Sequence, residues 1–168
     1  MPNWCSNHIS IRGPKDKIKA LWDNAVALGD TGGLLQSMVP IPADEQYPET
    51  CVERWGTKWD IQVIDDPDND LEYQEDGDMG IIVGNAETAW SPPVEAFQTY
   101  YEINPDVEID LSYCEFGMQF TGKWSSFDDD LFEVDFNGCA SEDIREVVGE
   151  ELDDLFSITE MCKMDEED

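Results

Sequence analysis

Between Val107 and Tyr113 the chain alternates without a break: Val107, Ile109, Leu111 and Tyr113 are separated by Glu108, Asp110 and Ser112. Successive side chains of a β-strand point to opposite faces. The segment therefore demands a strand with one face on a core and the other in water. "MQFTGKW" at 118–124 follows Gly117 as its hairpin mate. Residues 4–12, "WCSNHISIR", put Cys5, Ile9 and Ile11 on one parity and read as a first strand. Gly13-Pro14 ends it and opens a helix whose Ile18, Leu21, Trp22, Ala25 and Leu28 share one face, with Gly29 as a stop.

The section up to about Thr57 is irregular and contains proline. "KWDIQVI" at 58–64 and "MGIIVGNAETAW" at 79–90 read as partner strands. The stretch between them, "DDPDNDLEYQEDGD", becomes the loop of a long hairpin. Pro92-Pro93 start a helix through about Tyr101, with Val94, Phe97 and Tyr101 on one side. The order strand, helix, strand, strand, helix, strand, with a further strand, points to an α+β two-layer sandwich: an antiparallel sheet with helices on one face. Residues 131–138 add an edge strand. Ser141 can cap a last helix whose apolar face is Ile144, Val147, Val148, Leu152, Leu155 and Phe156. The chain thus reads as one domain over 1–162, with a core over 1–124, an acidic extension over 125–162 and a frayed acidic tail at 163–168.

Charge decides which partners are chemically reasonable. Forty Asp and Glu face nine Lys and Arg, a formal net charge of −31. A small domain ordinarily carries a net charge of magnitude ~2–8, and an excess of this size costs stability through self-repulsion. It argues against nucleic acid, anionic membrane and acidic substrates as direct ligands. A hydrophobic fraction of 40% with six Trp still requires a packed core. The five cysteines are dispersed without a CxxC pair, and no apolar run of ~18 residues is present, so a reduced cytoplasmic protein is expected.

The acid-rich stretch invites a calcium reading, and position counting argues against it. Counting an EF-hand loop from Asp66 matches Asp68 and Asp70 but places Leu71 where the sharp turn needs Gly and Gly77 where the bidentate Glu belongs. One His and five scattered Cys supply no zinc pair. No nucleophile–base set and no phosphate-cradling glycine loop can be argued. No metal, cofactor or catalytic residue is therefore expected.

Three motifs are unusual: "PNWCSN" at 2–7, "WGTKW" at 55–59 and "TAWSPP" at 88–93. Each sets a tryptophan (Trp4, Trp55, Trp59, Trp90) among small or turn-forming residues. Structural corners in which the indole packs and its N–H finds a partner are the simplest account; a tryptophan-lined groove is the alternative. Taken in order, "MPNWCSN", "VPIP" at 39–42, "WGTKWD" and "TAWSPP" resemble the YubB-like family of ferredoxin-like domain proteins, which occur on phages and conjugative plasmids. The resemblance spans roughly residues 1–124. It implies a ferredoxin-like βαββαβ core with an extra C-terminal strand and helix here, and a mobile-element origin. It carries over no catalytic residue.

The expected binding surface is acidic. It draws on Asp65, Asp66, Asp68, Asp70, Glu72, Glu75, Asp76 and Asp78 of the loop, Glu108, Asp110, Glu133 and Asp135 of strands, and Glu142, Glu146, Glu150 and Asp154 at successive i+4 steps of the last helix. Acids four apart on a helix repeat every ~6 Å, and alternate strand residues every ~6.6 Å. Like charges at i+4 cost ~0.2–0.5 kcal/mol per pair, so a row retained at that cost suggests a use. The first reading is an acidic, non-enzymatic binding protein of a phage or plasmid, in its narrower form a DNA mimic. Its partner would be a host protein with a basic, nucleic-acid-binding surface, in restriction, CRISPR or repair. The second is a mobile-element protein of other binding function whose acidity is a high-salt or solubility adaptation. The third is an enzyme with an unrecognised site.

Overall fold

A computed structural model describes residues 3–127 and 130–167. At its centre lies β1 (Trp4–Pro14), hydrogen-bonded on one side to β3 (Met79–Ala89) and on the other to β4 (Glu108–Glu115). Outside β3 lies β2 (Glu72–Asp76); outside β4 lie β5 (Phe120–Ser125) and then β6 (Asp130–Asp135). The sheet order is β2-β3-β1-β4-β5-β6, and every pairing is antiparallel. The protein is thus α+β with a six-stranded antiparallel sheet.

The alternation of β1 is realised in full. Cys5, Asn7, Ile9 and Ile11 are buried on one face, with Ile82, Ile109, Leu111 and Tyr113 beside them. The helices α1 (Lys15–Leu28), α2 (Leu34–Met38), α3 (Pro48–Trp55) and α4 (Val94–Ile103) cover this first face. Ile18, Leu21, Leu34, Leu35, Trp55 and Phe97 are buried against the strands. Full burial of one such aliphatic side chain is worth ~1.5–3 kcal/mol. The α1 helix sits unusually close to β3, since a Cβ on Gly80 would lie 2.9 Å from Ile18 Cβ.

The C-terminal part packs on the other face. Cys114 points opposite to Tyr113 and joins a second cluster with Phe136, Ile144, Val148, Leu152, Ile158 and Cys162. This cluster holds α5 (Ser141–Val148), α6 (Glu150–Phe156) and α7 (Ile158–Glu167) against the β4–β6 end of the sheet. There β4 is buried on both faces, through Tyr113 on one and Cys114 on the other, while Leu131, Phe132 and Glu133 of the edge strand β6 remain exposed.

Several expectations fail for identifiable reasons. Residues 58–64 form no strand. Asp60 turns back on the start of α2, accepting from the backbone N–H groups of Gly33, Leu35, Gln36 and Ile61 at 2.7–3.0 Å. The partner of β3 instead lies within the acidic stretch itself, as β2, joined through the two-residue Gly77-Asp78 turn with Gly77 at φ 60°. The section expected to be irregular contains α2 and α3. Ser141 does not cap α5: its N–H and hydroxyl both donate to Glu166 of α7, at 3.0 and 2.8 Å. The single last helix is three, broken at Gly149 (φ 92°) and Ser157 (φ 54°). Helix α7 continues through Glu167 where a frayed tail is expected; Asp168 lies outside the described residues, as does Pro2 of the first tryptophan motif. Among the described residues no helix is long and apolar enough to cross a membrane.

Candidate functional site

Among the described residues no helix packs on the second face of the sheet over β2, β3 and β1, and the even-numbered residues of β1 look outward there. Trp4 and Arg12 are exposed, and Ser6, His8 and Ser10 are half-buried. The register sets their neighbours. Ser10 lies between Val83 and Asp110, and Val83 pairs on to Glu72. Arg12 lies between Ile81 and Glu108. Neighbouring strands are ~4.8 Å apart, so the backbones of Glu72 and Asp110 stand about 14 Å apart across three spacings. One row of carboxylates, Glu72 and Asp76, therefore runs along β2, and a second, Glu108 and Asp110, along β4. Between them lie Ser10, the half-buried Ile81 and Val83, and the exposed Arg12; His8 continues the floor beyond Asp110.

Toward α6 the floor deepens into a cleft of about 1060 Å³. Its base includes His8, Ser10, Ser112 and Ser125; its walls include Asp110, Lys123, Phe127, Phe132, Glu151, Asp154 and Leu155. Lys123 Nζ lies 3.0 Å from Glu151 Oε2, and Arg12 lies 3.9 Å from Asp76. Both pairs are open to water, where such contacts contribute at most ~1 kcal/mol. They soften the negative charge of the face without neutralising it.

The acidic loop is pinned to this face through a chain of hydrogen bonds. Asp70 accepts from the Asn85 N–H at 2.5 Å and from its side-chain amide at 3.3 Å, and Asn85 Oδ1 lies 3.0 Å from His8 Nδ1. The Asn85 N–H, above all, holds the Asp70 carboxyl below the usual carboxylate range. Glu87, half-buried on the same face, accepts from Ser6 Oγ at 2.8 Å, while burial pushes its carboxyl up.

All sixteen expected acids reach the surface, Asp66 only partly. They do not share one face. Glu72, Asp76, Glu108 and Asp110 do, and Asp154 stands on the cleft wall. Asp65, Asp66 and Asp68 belong to the loop before β2, where Asp66 accepts from the Asp68 N–H at 2.9 Å, and Asp78 is in the β2–β3 turn. Glu75 and Glu133 face the helix side and accept from the hydroxyls of Tyr73 and Tyr113. Asp135 accepts from the Asn137 N–H. The ladder Glu142, Glu146, Glu150, Asp154 is interrupted at Gly149. Beyond that break Arg145 gathers three acids, bonding Glu150 (3.0 Å), Asp153 (3.1 Å) and Asp154 (2.8 Å).

Two acids of this face are additions, Glu87 and Glu151. Glu87 shares its parity with Ile81 and Val83, so alternation alone could not orient it. Glu151 became relevant only when α6 folded back over the sheet. The tryptophans divide. Trp55 is buried and donates to the Val39 carbonyl at 2.9 Å. Trp4, Trp59 and Trp90 are 45%, 45% and 49% exposed. Among the described residues no group of three or more His, Cys, Asp or Glu side chains is placed to hold a metal ion. Comparison of the chain with family models, curated proteins and solved structures finds no match.

Proposed function

We propose that this chain is an acidic, non-enzymatic binding protein of phage or plasmid origin, acting in the host cytoplasm, whose open sheet face occupies the nucleic-acid site of a basic host protein. The carrying observation is the pair of carboxylate rows on β2 and β4, with Ser10, Arg12, Ile81 and Val83 between them. Their separation of about 14 Å across three strand spacings is on the scale of the major groove of B-DNA, ~12 Å wide. A protein element that lies between two rows of phosphates would find two rows of anions here. The ferredoxin-like part of the reading is supported by order: with α2 and α3 set aside, β1, α1, β2, β3, α4 and β4 follow the βαββαβ sequence, and the sheet order β2-β3-β1-β4 agrees with such a core. Helices α2 and α3, strands β5 and β6 and helices α5 to α7 are additions to it.

A second reading has an observation in its favour. Glu133, Asp135, Glu142 and Glu146 are exposed away from the open face, as a general adaptation to salt would place them.

Capture from host lysate separates the two. The full chain is expected to retain nucleic-acid-binding proteins, with release by competing DNA and by salt, since screening shortens from ~10 Å at 0.1 M to ~3 Å at 1 M. The variant E72Q/D76N/E108Q/D110N is expected to lose that capture. E142Q/E146Q, which removes charge elsewhere, is expected to keep it. Equal loss in both variants, or retention of basic proteins only in proportion to their charge, would overturn the mimic.

A further inference from the structure

The open face ends at a corner where three indoles come out of the fold. Trp4 has the parity of His8 and Ser10, and its strand neighbour is Ala89, next to Trp90. The rings of Trp4 and Trp59 lie 5.9 Å apart, tilted by 49°. Each of the three is nearly half exposed. Indoles are the side chains with most to gain from burial, and grouped exposure of this kind marks interaction surfaces.

The corner is also built at a cost. Trp90 has φ 73°, a left-handed conformation that is a genuine outlier for a bulky residue and persists only where surroundings enforce it. The enforcing contacts are visible. The Trp90 N–H donates to the Asn3 carbonyl at 2.8 Å, Thr57 Oγ1 to Ala89 at 2.8 Å, Thr88 Oγ1 to Ser91 at 2.7 Å, and Ser91 Oγ to the Gly56 carbonyl. None of these holds the Trp90 ring in the core; together they hold it outside.

The chemistry of the corner selects its occupant. Lys58 Nζ already lies 5.0 Å from the centre of the Trp59 ring, so an indole face here accepts a cation. A second copy of the chain is disfavoured by a charge of −31 on each. Guanidinium groups stack on indoles better than ammonium groups do, because they are planar and more weakly hydrated. We propose that Trp4, Trp59 and Trp90 form an aromatic anchor for arginine side chains of the partner. The inference rests on the basic-partner reading and goes further by stating which basic residue is recognised. Carboxylates attract any cation; the tryptophan corner discriminates arginine from lysine.

The test uses the full chain and two synthetic peptides, an octa-arginine and an octa-lysine, with affinities read by calorimetry and contacts by the indole N–H resonances. The wild type is expected to bind octa-arginine roughly tenfold more tightly, with the Trp4, Trp59 and Trp90 signals shifting. W4A/W59A is expected to lose that preference while keeping its octa-lysine affinity. W4F/W59F, which retains aromatic faces, is expected to keep most of it, which separates recognition from misfolding. Equal binding of the two peptides by the wild type, or a preference intact in W4A/W59A, overturns the anchor and leaves the basic-partner reading standing. Failure of both peptides to bind the wild type at low salt overturns both.

Discussion

The carboxylate of Asp60 accepts from four backbone N–H groups, those of Gly33, Leu35, Gln36 and Ile61. It thereby ties the 58–61 segment to the start of α2, whose first N–H groups have no partner within the helix. Burial pushes this carboxyl up, and the four donors pull against it. D60A leaves the donors unmatched and is expected to cost ~2–4 kcal/mol, read as a lowered urea midpoint. D60N keeps one acceptor oxygen and should fall between D60A and the wild type. The same residue explains why the apolar alternation of 58–64 produced no strand. Ile61 is buried as a strand residue would be, but its carbonyl accepts from the Leu34 N–H instead of a neighbouring strand.

At the scale of elements, the helices α5 to α7 depend on acids held in their ionised form. Burial opposes ionisation of Asp153, but the Thr159 N–H and hydroxyl and the Arg145 guanidinium outweigh it and hold its carboxyl below the usual range. The Ser141 N–H and hydroxyl hold Glu166 low in the same way. A carboxyl whose pKa is lower in the fold than in the unfolded chain adds stability above its unfolded value and loses it as pH falls through the folded one. The three helices are therefore expected to open before the β1–β3–β4 centre on acidification below the ordinary carboxylate values of ~3.9–4.3. Hydrogen exchange resolved by segment would show earlier loss of protection in 141–167; simultaneous loss in β1 would contradict it. The sequence pointed to a helix beginning near Ser141 and to its apolar residues. It did not reveal that Gly149 and Ser157 bend the chain into three pieces, because those bends are fixed by contacts with Phe136 and Cys114, distant in sequence.

For the whole molecule, the excess of acid sets how stability responds to solvent. A net charge of −31 repels itself in the compact state. The thermal midpoint is expected to rise with NaCl, most steeply below ~0.2 M, where the screening length changes fastest. The protein should nevertheless be folded in dilute buffer, and folding only in molar salt would favour the salt-adaptation reading. Lowering pH from 7 should first raise the midpoint. Protonation relieves repulsion, and Asp60 and Glu87, held up by burial, take up protons in the fold before the unfolded chain does. Below the carboxylate range the sign reverses, since Asp70, Asp106, Asp153 and Glu166 are held low and the unfolded chain binds more protons. A maximum near pH ~5 is expected; a monotonic fall from pH 7 would show that repulsion is not the governing term.

The sequence by itself determined the elements that follow from short-range pattern: the alternation of β1 and β4, the apolar face of α1, the α+β class and the acidity of the surface. These are properties of neighbouring residues, and periodicity records them. Only the tertiary structure decided which acids stand together. Glu72 and Asp110 face each other across Val83 and Ser10 through the register of three separate strand pairings. Glu133 turned to the helix side, and Glu150 and Asp154 were drawn to Arg145. The stretch with most acid became an edge strand because Gly77-Asp78 closes a tight turn onto β3. Strand pairing and the return of α6 over the sheet join residues far apart along the chain. No local pattern carries that information, and the open face with its tryptophan corner exists only once they are in place.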